Sequence, residues 1–276
     1  MKISFLCFEV SSKCNMNCKF CFAEWRDYKE QLSIEKIKYI IDKLISYGLE
    51  AINLTGGDPL LRDDIIDICK YCKEKGLMTI ISTNGIKLQD DKDILHYIDS
   101  INLPLDSCSE LIHNEMRPCA VQNHHKLILE LIDEINEFYP SVKIKINTMV
   151  GKPNINDIVG IGNIINDKIY SWKLGKFLNS GYGKKFEGEF IIDDDSFNKV
   201  ANECQKLYEV CNVVEDFKID DLEVFDIFIN GLGEVNIHKK DRIENIGEID
   251  NLDKYSLDIE NLNKDYLDLV YKKEET

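Results

Sequence analysis

Short runs of β-branched and aromatic residues alternate with longer stretches of helical period over the first two thirds of the chain. The runs at residues 3–10, 51–54, 78–82, 100–105, 143–150 and 171–177 predict strands. Between them, helices are expected at 34–47, 63–75, 91–98, 123–138 and 155–165. The first is the clearest: Ser33 caps its start, Ile37, Ile40, Ile41 and Leu44 fall on one stripe, and Gly48 ends it. Strand and helix in strict alternation mark a parallel sheet covered by helices. Six such units fall short of an eight-stranded barrel, so the expected fold is α/β, a partial (β/α)6 barrel.

The pattern changes after Gly175. A loop with Gly181, Gly183 and Gly188 leads to an acidic-capped helix at 194–208, then to a hairpin of 222–229 and 234–237 across Gly231 and Gly233. Roughly the last 25 residues, rich in Asp, Asn and Lys with Leu and Tyr at helical intervals, read as a docked helix or a mobile tail. Residues 1–180 are thus expected to form the barrel, and 181–276 an α+β extension packed on it. There is no internal repeat and no low-complexity tract.

With 276 residues, 44% of them hydrophobic and 30% charged, the chain has the make-up of a globular protein with a sizeable core. Its net charge of −16 repels phosphate backbones and anionic lipid, so neither nucleic acid nor a membrane is expected as a partner. An anionic ligand then needs a local basic pocket. No apolar stretch approaches the ~18 residues that span a bilayer, and Glu9 interrupts the short apolar start, so a cytoplasmic location is expected.

Ten cysteines are too few for a disulfide scaffold. Cys69 and Cys72 sit at helical spacing beside Ile65 and Ile68 and read as core residues. Cys108, Cys119, Cys204 and Cys211 match no second-cluster spacing and read as buried thiols. His124 and His125 open a helix, and Asp193, Asp194 and Asp195 cap one. What stands out is Cys14, Cys18 and Cys21, crowded into eight residues directly after the first strand. Three thiolates on one short loop grip three corners of a cubane iron–sulfur cluster and leave the fourth iron without a protein ligand. Asn15 and Asn17 suit the tight turns of such a loop. The plain alternative is structural zinc, which wants four closed ligands; a fourth would have to come from Cys7 or from afar, since the nearest histidine is His96.

This cysteine spacing, with the aromatic Phe20 before the last cysteine, resembles the radical S-adenosylmethionine (SAM) superfamily. The resemblance implies a 4Fe-4S cluster on Cys14, Cys18 and Cys21, with SAM chelating its unique iron. Reduction then cleaves SAM to methionine and a 5′-deoxyadenosyl radical, which abstracts a substrate hydrogen. Gly56, Gly57, Asp58 and Pro59 leave the second strand; paired glycines let the backbone approach a ligand closely. They resemble the GGEP-type loop that receives the amino group of SAM, with Asp58 where Glu is usual. Ser82 and Asn84, Asp106 and Ser107, and Asn147 resemble positions near the methionyl and ribose parts. All lie at the carboxyl ends of successive expected strands, where parallel barrels assemble their sites. A reductant such as flavodoxin or ferredoxin is implied as a partner, beside a small-molecule substrate.

The stretch 145–150, then Trp172 and Lys173, residues 190–193 before Phe197, and 246–249 resemble viperin and its prokaryotic relatives. That implies a nucleoside triphosphate whose ribose loses water, with Lys145, Lys173, Lys176, Lys184 and Lys185 as candidates to hold the triphosphate. The chain departs from that pattern where the relatives place a catalytic tyrosine on the late strand, since Asp226 or Phe228 stands there. It also ends with Lys272 and Lys273 rather than an arginine. The candidate catalytic residues are therefore Lys145, Lys173 and Asp226. Two other readings remain: radical modification of another metabolite or a ribosomal peptide, and a non-catalytic iron–sulfur or zinc binding regulator. The chain starts at its first barrel strand, which leaves no room for the leader-binding domain that peptide work usually brings.

Overall fold

Strands buried on both faces need helices on one side and a filled interior on the other. The computed structural model, which describes residues 2–22, 31–209, 211–213, 224–239 and 243–254, builds that arrangement. Its elements run β1 (Phe5–Ser11), α1 (Ile34–Ser46), β2 (Ala51–Gly56), α2 (Ile65–Glu74), β3 (Met78–Ser82), β4 (Ser100–Pro104), α3 (Glu110–Met116) and α4 (His124–Phe138). There follow β5 (Lys143–Val150), α5 (Ile158–Ile165), β6 (Ser171–Lys176), α6 (Glu187–Phe190), α7 (Asp194–Leu207), β7 (Cys211–Val213), β8 (Val224–Ile229), β9 (Glu234–Lys239) and β10 (Ile243–Glu248).

All the strands join one ten-stranded sheet, ordered β10-β9-β8-β1-β2-β3-β4-β5-β6-β7. Neighbours from β8 through β1 to β7 are parallel, and β9 and β10 add an antiparallel meander. Among the described residues β7 and β8 do not pair, so the parallel part is an open, partial barrel. The chain beyond residue 180 extends this same sheet at both edges: β7 pairs with β6, and β8 runs beside β1 with Phe228 opposite Cys7.

Three local differences from the sequence expectations have physical causes. Residues 91–98 form a short 3-10 turn, Asp93–His96, rather than a helix. The Asp91 carboxylate accepts the Asp93 N–H at 2.8 Å and fixes a tight turn where a helix would have to start. The helix expected from 155 begins at Ile158, because Asn154 holds a turn by accepting the Gly151 N–H at 2.9 Å. The strands β7 and β10 escaped notice, the first for its three residues and the second because it is a half-exposed edge without alternation. Beyond Lys254 the expected helix or tail lies outside the described residues.

The helices cover the face that carries Leu6 and Phe8 of β1, Ile52 and Leu54 of β2, Ile101 and Leu103 of β4, and Ile144 and Ile146 of β5. Ile37, Ile40, Ile41 and Leu44 of α1, and Cys69 and Cys72 of α2, are buried in this core as the sequence predicts. On the opposite, inner face, Phe5, Ala51 and Ile80 pack with Cys7 and Met78 and plug the amino-terminal end. Above that floor the inner positions turn polar, and every β-to-α loop opens at the carboxyl-terminal end. Among the described residues no helix is long and apolar enough to cross a membrane.

Among the described residues Trp172 is the largest fully buried side chain. Its indole N–H donates to Thr148 Oγ1 at 2.9 Å, and its ring lies 5.9 Å from that of Tyr208. Trp172→Ala is expected to lower unfolding free energy by about 3–5 kcal/mol through the cavity it opens. Trp172→Phe keeps most of the ring and loses the hydrogen bond, which costs about 1–2 kcal/mol. Urea denaturation of both variants measures the difference, and equal losses would contradict a packing role for the ring.

Candidate active site

The cysteine loop is fastened where β1 ends. The Ser11 carbonyl accepts the Gly57 N–H at 2.8 Å and the Lys13 carbonyl accepts the Asp58 N–H at 2.7 Å. These two backbones touch directly. A Cβ on Gly56, which sits at φ +128°, would lie 2.1 Å from the Ser11 oxygen; one on Gly57 would lie 2.2 Å from the Lys13 oxygen. The glycine pair is thus spent on seating the cysteine loop. Further along, the Asn17 N–H donates to the Pro118 carbonyl at 3.1 Å, Met16 bridges to Cys119, and the Gly183 N–H donates to the Cys21 carbonyl at 2.7 Å.

Cys14, Cys18 and Cys21 lie on this loop, none of them in a disulfide. Cys18 is buried, and burial pushes its thiol up to about 12, with the positive charge of Arg117 opposing the shift. Among the described residues no three His, Cys, Asp or Glu side chains are gathered to hold a single metal ion. Three cysteines on one loop suit a cluster with an open iron better than a structural zinc, which wants four closed ligands.

Arg117 was not singled out by sequence. Its guanidinium donates to the fully buried Asp106 carboxylate through Nε and Nη2 and stands 5.0 Å over the Phe20 ring. Phe20 in turn meets Phe190 edge-on at 5.7 Å. The available signal was scarcity: only four of the 34 basic residues are arginine, and a buried, bidentate pair with a carboxylate is where arginine is preferred.

The remaining loop residues form one braced rim. Asp58 accepts from the Leu60 N–H at 2.9 Å, Thr83 Oγ1 at 2.8 Å and the Asn84 N–H at 2.9 Å, while burial raises its carboxyl pKa. Pro59 is buried at the first position of the turn that Asp58 caps. Asn84 donates to Asn15 Oδ1 at 2.7 Å, and its Nδ2 lies 4.0 Å from Cys14 Sγ. Ser107 donates to Asp157 at 2.6 Å. Inside the barrel, Asn102 donates to Ser82, Ser82 to Asn53, and Asn53 to the Cys7 sulfur, a chain of hydrogen bonds crossing four strands.

Asn147 differs from these. Its Oδ1 is buried and has no hydrogen-bond partner, an orphaned acceptor of the kind a ligand donor satisfies. Its register partner is Lys173, and Lys145 lies two residues earlier on the same inner face. Lys145 is 2% exposed; burial first, then the like charge of Lys173, holds its ammonium pKa well below the ordinary lysine value. The other lysine candidates point elsewhere. Lys176 pairs with Asp194, and Lys184 and Lys185 are exposed, the latter over the Tyr182 ring. Asp226 is paired in register with His238 on β9; its side chain lies outside what the structure describes.

The glycine contact yields a prediction. Gly57→Ala should lower stability by about 1–3 kcal/mol, and should reduce the iron retained after anaerobic reconstitution, because Lys13 and Cys14 must move. Denaturation and iron assay check it; wild-type iron content in that variant would contradict the seating role.

Residues 8–161 match the family profile described as the radical SAM superfamily. The chain is 31% identical over 211 residues to an S-adenosylmethionine-dependent nucleotide dehydratase of Flammeovirga pacifica, which covers 72% of this chain and 71% of that protein. It is 28% identical to a protein of the same name from Fibrobacter sp. (strain UWH6), spanning 68% of this chain and 58% of that one. Among solved structures it is similar in fold to Streptococcus suis SuiB bound to precursor peptide SuiA, with a TM-score of 0.71 and 17% identity over 98% of this chain and 65% of that chain. The profile covers more than half of the residues, from β1 through the cysteine loop to α5, and by this match the chain belongs to the radical SAM superfamily.

Proposed function

We propose that this chain is a radical SAM enzyme that abstracts hydrogen from a nucleoside triphosphate and dehydrates its sugar, as viperin-like enzymes do. The observation that carries the substrate class is the pair of inward lysines, Lys145 and Lys173, with Asn147 between them, on the inner face of the barrel. The likeness to two proteins named nucleotide dehydratases supports the same reading.

Cys14, Cys18 and Cys21 would hold a 4Fe-4S cluster, and Asn147, Arg117 and the rim after β2 and β3 would surround SAM. Bound there and reduced, the two groups would supply radical chemistry, the one-electron cleavage of SAM that leads to hydrogen abstraction from substrate. The protein's share is binding, orientation and exclusion of water. A guanidinium has five donors and Asp106 engages Arg117 through two nitrogens, so others remain to meet a carboxylate at the cysteine loop. Asn147 Oδ1 accepts a hydroxyl or ammonium hydrogen. The apolar cluster of Phe5, Ala51 and Ile80 fills the inner face at the amino-terminal end and limits the water that reaches the reacting groups from below.

Lys145 and Lys173 set the charge of that chamber. A buried ammonium is costly until an anion arrives, and a triphosphate beside Lys145 raises its pKa toward the ordinary value. In this reading residues 1–180 carry the cofactors, and Asp226 on β8 is a candidate from the chain beyond them; a flavodoxin or ferredoxin type protein delivers two electrons, one that cleaves SAM and one that the sugar radical takes up as its hydroxyl leaves as hydroxide. Radical modification of a peptide is the second reading, favoured by the fold shared with SuiB. A basic chamber suits a polyanion better than a peptide.

Two outcomes are expected. Cys14→Ala, Cys18→Ala and Cys21→Ala should each abolish 5′-deoxyadenosine formation, measured by chromatography after anaerobic reduction with SAM; full activity in any of them contradicts the assignment. In the wild type, one of the nucleoside triphosphates should raise 5′-deoxyadenosine formation, and deuterium placed at the abstracted position should appear in that 5′-deoxyadenosine. Its binding should take up protons, because Lys145 charges, and so weaken as pH rises. Calorimetry in buffers of different ionisation heat reads that uptake, and no response to any triphosphate sinks the substrate class.

A further inference from the structure

We propose that His113 and His124 are positioning residues: they form a one-directional hydrogen-bond wire between the loops after β4 and β3, and the wire holds Asn84 against the Cys14 corner of the cysteine loop. This inference rests on the reading that the three cysteines hold an iron–sulfur cluster.

The direction of the wire is fixed by its ends. The Asp106 backbone N–H donates to His113 Nδ1 at 3.1 Å, so Nδ1 carries no hydrogen and neutral His113 is protonated on Nε2. That Nε2–H then donates to His124 Nδ1 at 2.8 Å. His124 is in turn protonated on Nε2 and donates to the Asn84 carbonyl at 2.7 Å. A backbone N–H only donates and a carbonyl only accepts, so both tautomers follow from the two ends. The rings are nearly coplanar, 11° apart with 5.1 Å between centroids, the edge-to-edge spacing of an N–H···N bond, and are essentially inaccessible to solvent.

A proton added to either ring would face N–H against N–H somewhere along the wire. Burial, with the positive charge of Arg117, pushes His113 down to about 2 and His124 down to about 4, which keeps both neutral. His125 stands outside the wire, its ring edge-on to His113 at 5.5 Å and nearest in charge to Glu110.

At the far end, Asn84 has no rotational choice. Its Oδ1 accepts the Ile86 N–H at 3.0 Å, which turns Nδ2 toward Asn15 Oδ1 at 2.7 Å and toward Cys14 Sγ at 4.0 Å. Amide donors near ligating sulfurs raise a cluster's reduction potential, and outer partners of this kind set ligand orientation. The wire's lower end is the Asp106 that grips Arg117 beside Cys18, so one continuous path braces two corners of the cysteine loop.

The test uses the reconstituted full chain and EPR-monitored redox titration without SAM. His124→Phe, which keeps a ring and loses both hydrogen bonds, should shift the midpoint to a more negative value at unchanged iron content. His124→Gln, whose side-chain amide still donates to the Asn84 carbonyl, should restore much of it. An unshifted midpoint in His124→Phe overturns the proposal. A second measurement needs neither variant nor cluster: nitrogen-15 NMR of the wild-type apo chain should show His113 and His124 neutral and protonated on Nε2 down to mildly acidic pH. Either ring in the Nδ1–H form, or charged there, overturns the wire. A wild type that assembles no cluster fails the cluster reading alone, and the tautomers still decide the wire.

Discussion

Everything at the carboxyl-terminal end of the sheet depends on two backbones lying in direct contact. The segment from Ser11 to Cys14 and the turn at Gly56 and Gly57 approach until a single methyl group would collide with a carbonyl oxygen. Two hydrogen bonds, from Gly57 and Asp58 to the Ser11 and Lys13 carbonyls, close the seam. From it the bracing spreads outward: Asp58 locks Thr83 and Asn84, Asn84 reaches Asn15, and His124 carries the connection on to Asp106 and Arg117. The rim is a single hydrogen-bonded object rather than five separate loops. Such a network is worth most when every member is satisfied. Among the described residues two buried side-chain atoms lack a partner, His125 Nε2 and Asn147 Oδ1, and Asn147, on the inner face beside Lys173, marks where something else belongs.

Much of this was legible in the chain. The stripe of Ile37, Ile40, Ile41 and Leu44 announced α1, and the β-branched runs gave the parallel strands, because burial against one continuous core imposes a period that sequence alone displays. The cysteine spacing and the Gly-Gly-Asp-Pro turn pointed to the radical SAM superfamily, which the family profile bears out. What stayed hidden depends on partners far along the chain. Arg117 matters because Asp106 and Phe20 come to it, and His113 and His124 because a loop carbonyl and a loop N–H lie at their ends. No periodicity reports such meetings. The glycine pair was found for an incomplete reason: the expected close approach to a ligand is, in the structure, a close approach to Ser11 and Lys13. Short or exposed strands such as β7 and β10 carry too few buried positions to leave a pattern.

The inner face divides the labour by height. Apolar side chains seal the amino-terminal end, a chain of amides and hydroxyls from Cys7 to Asn102 lines the middle, and two lysines sit beneath the rim. Under the proposed function, that gradient would let an acidic protein of net charge −16 receive an anion. The protein-wide field would repel it at long range, and Lys145 and Lys173 would hold it at contact. The family supplies the radical; this arrangement of lysines supplies the argument for what the radical meets.

The central claim is that three cysteines leave one iron open to SAM, and Mössbauer spectroscopy of protein reconstituted with the active iron isotope addresses it most directly. The account predicts a cluster in which a single iron changes its isomer shift when SAM is added, the others staying as they were. A spectrum indifferent to SAM, or no iron–sulfur cluster at all, would contradict it.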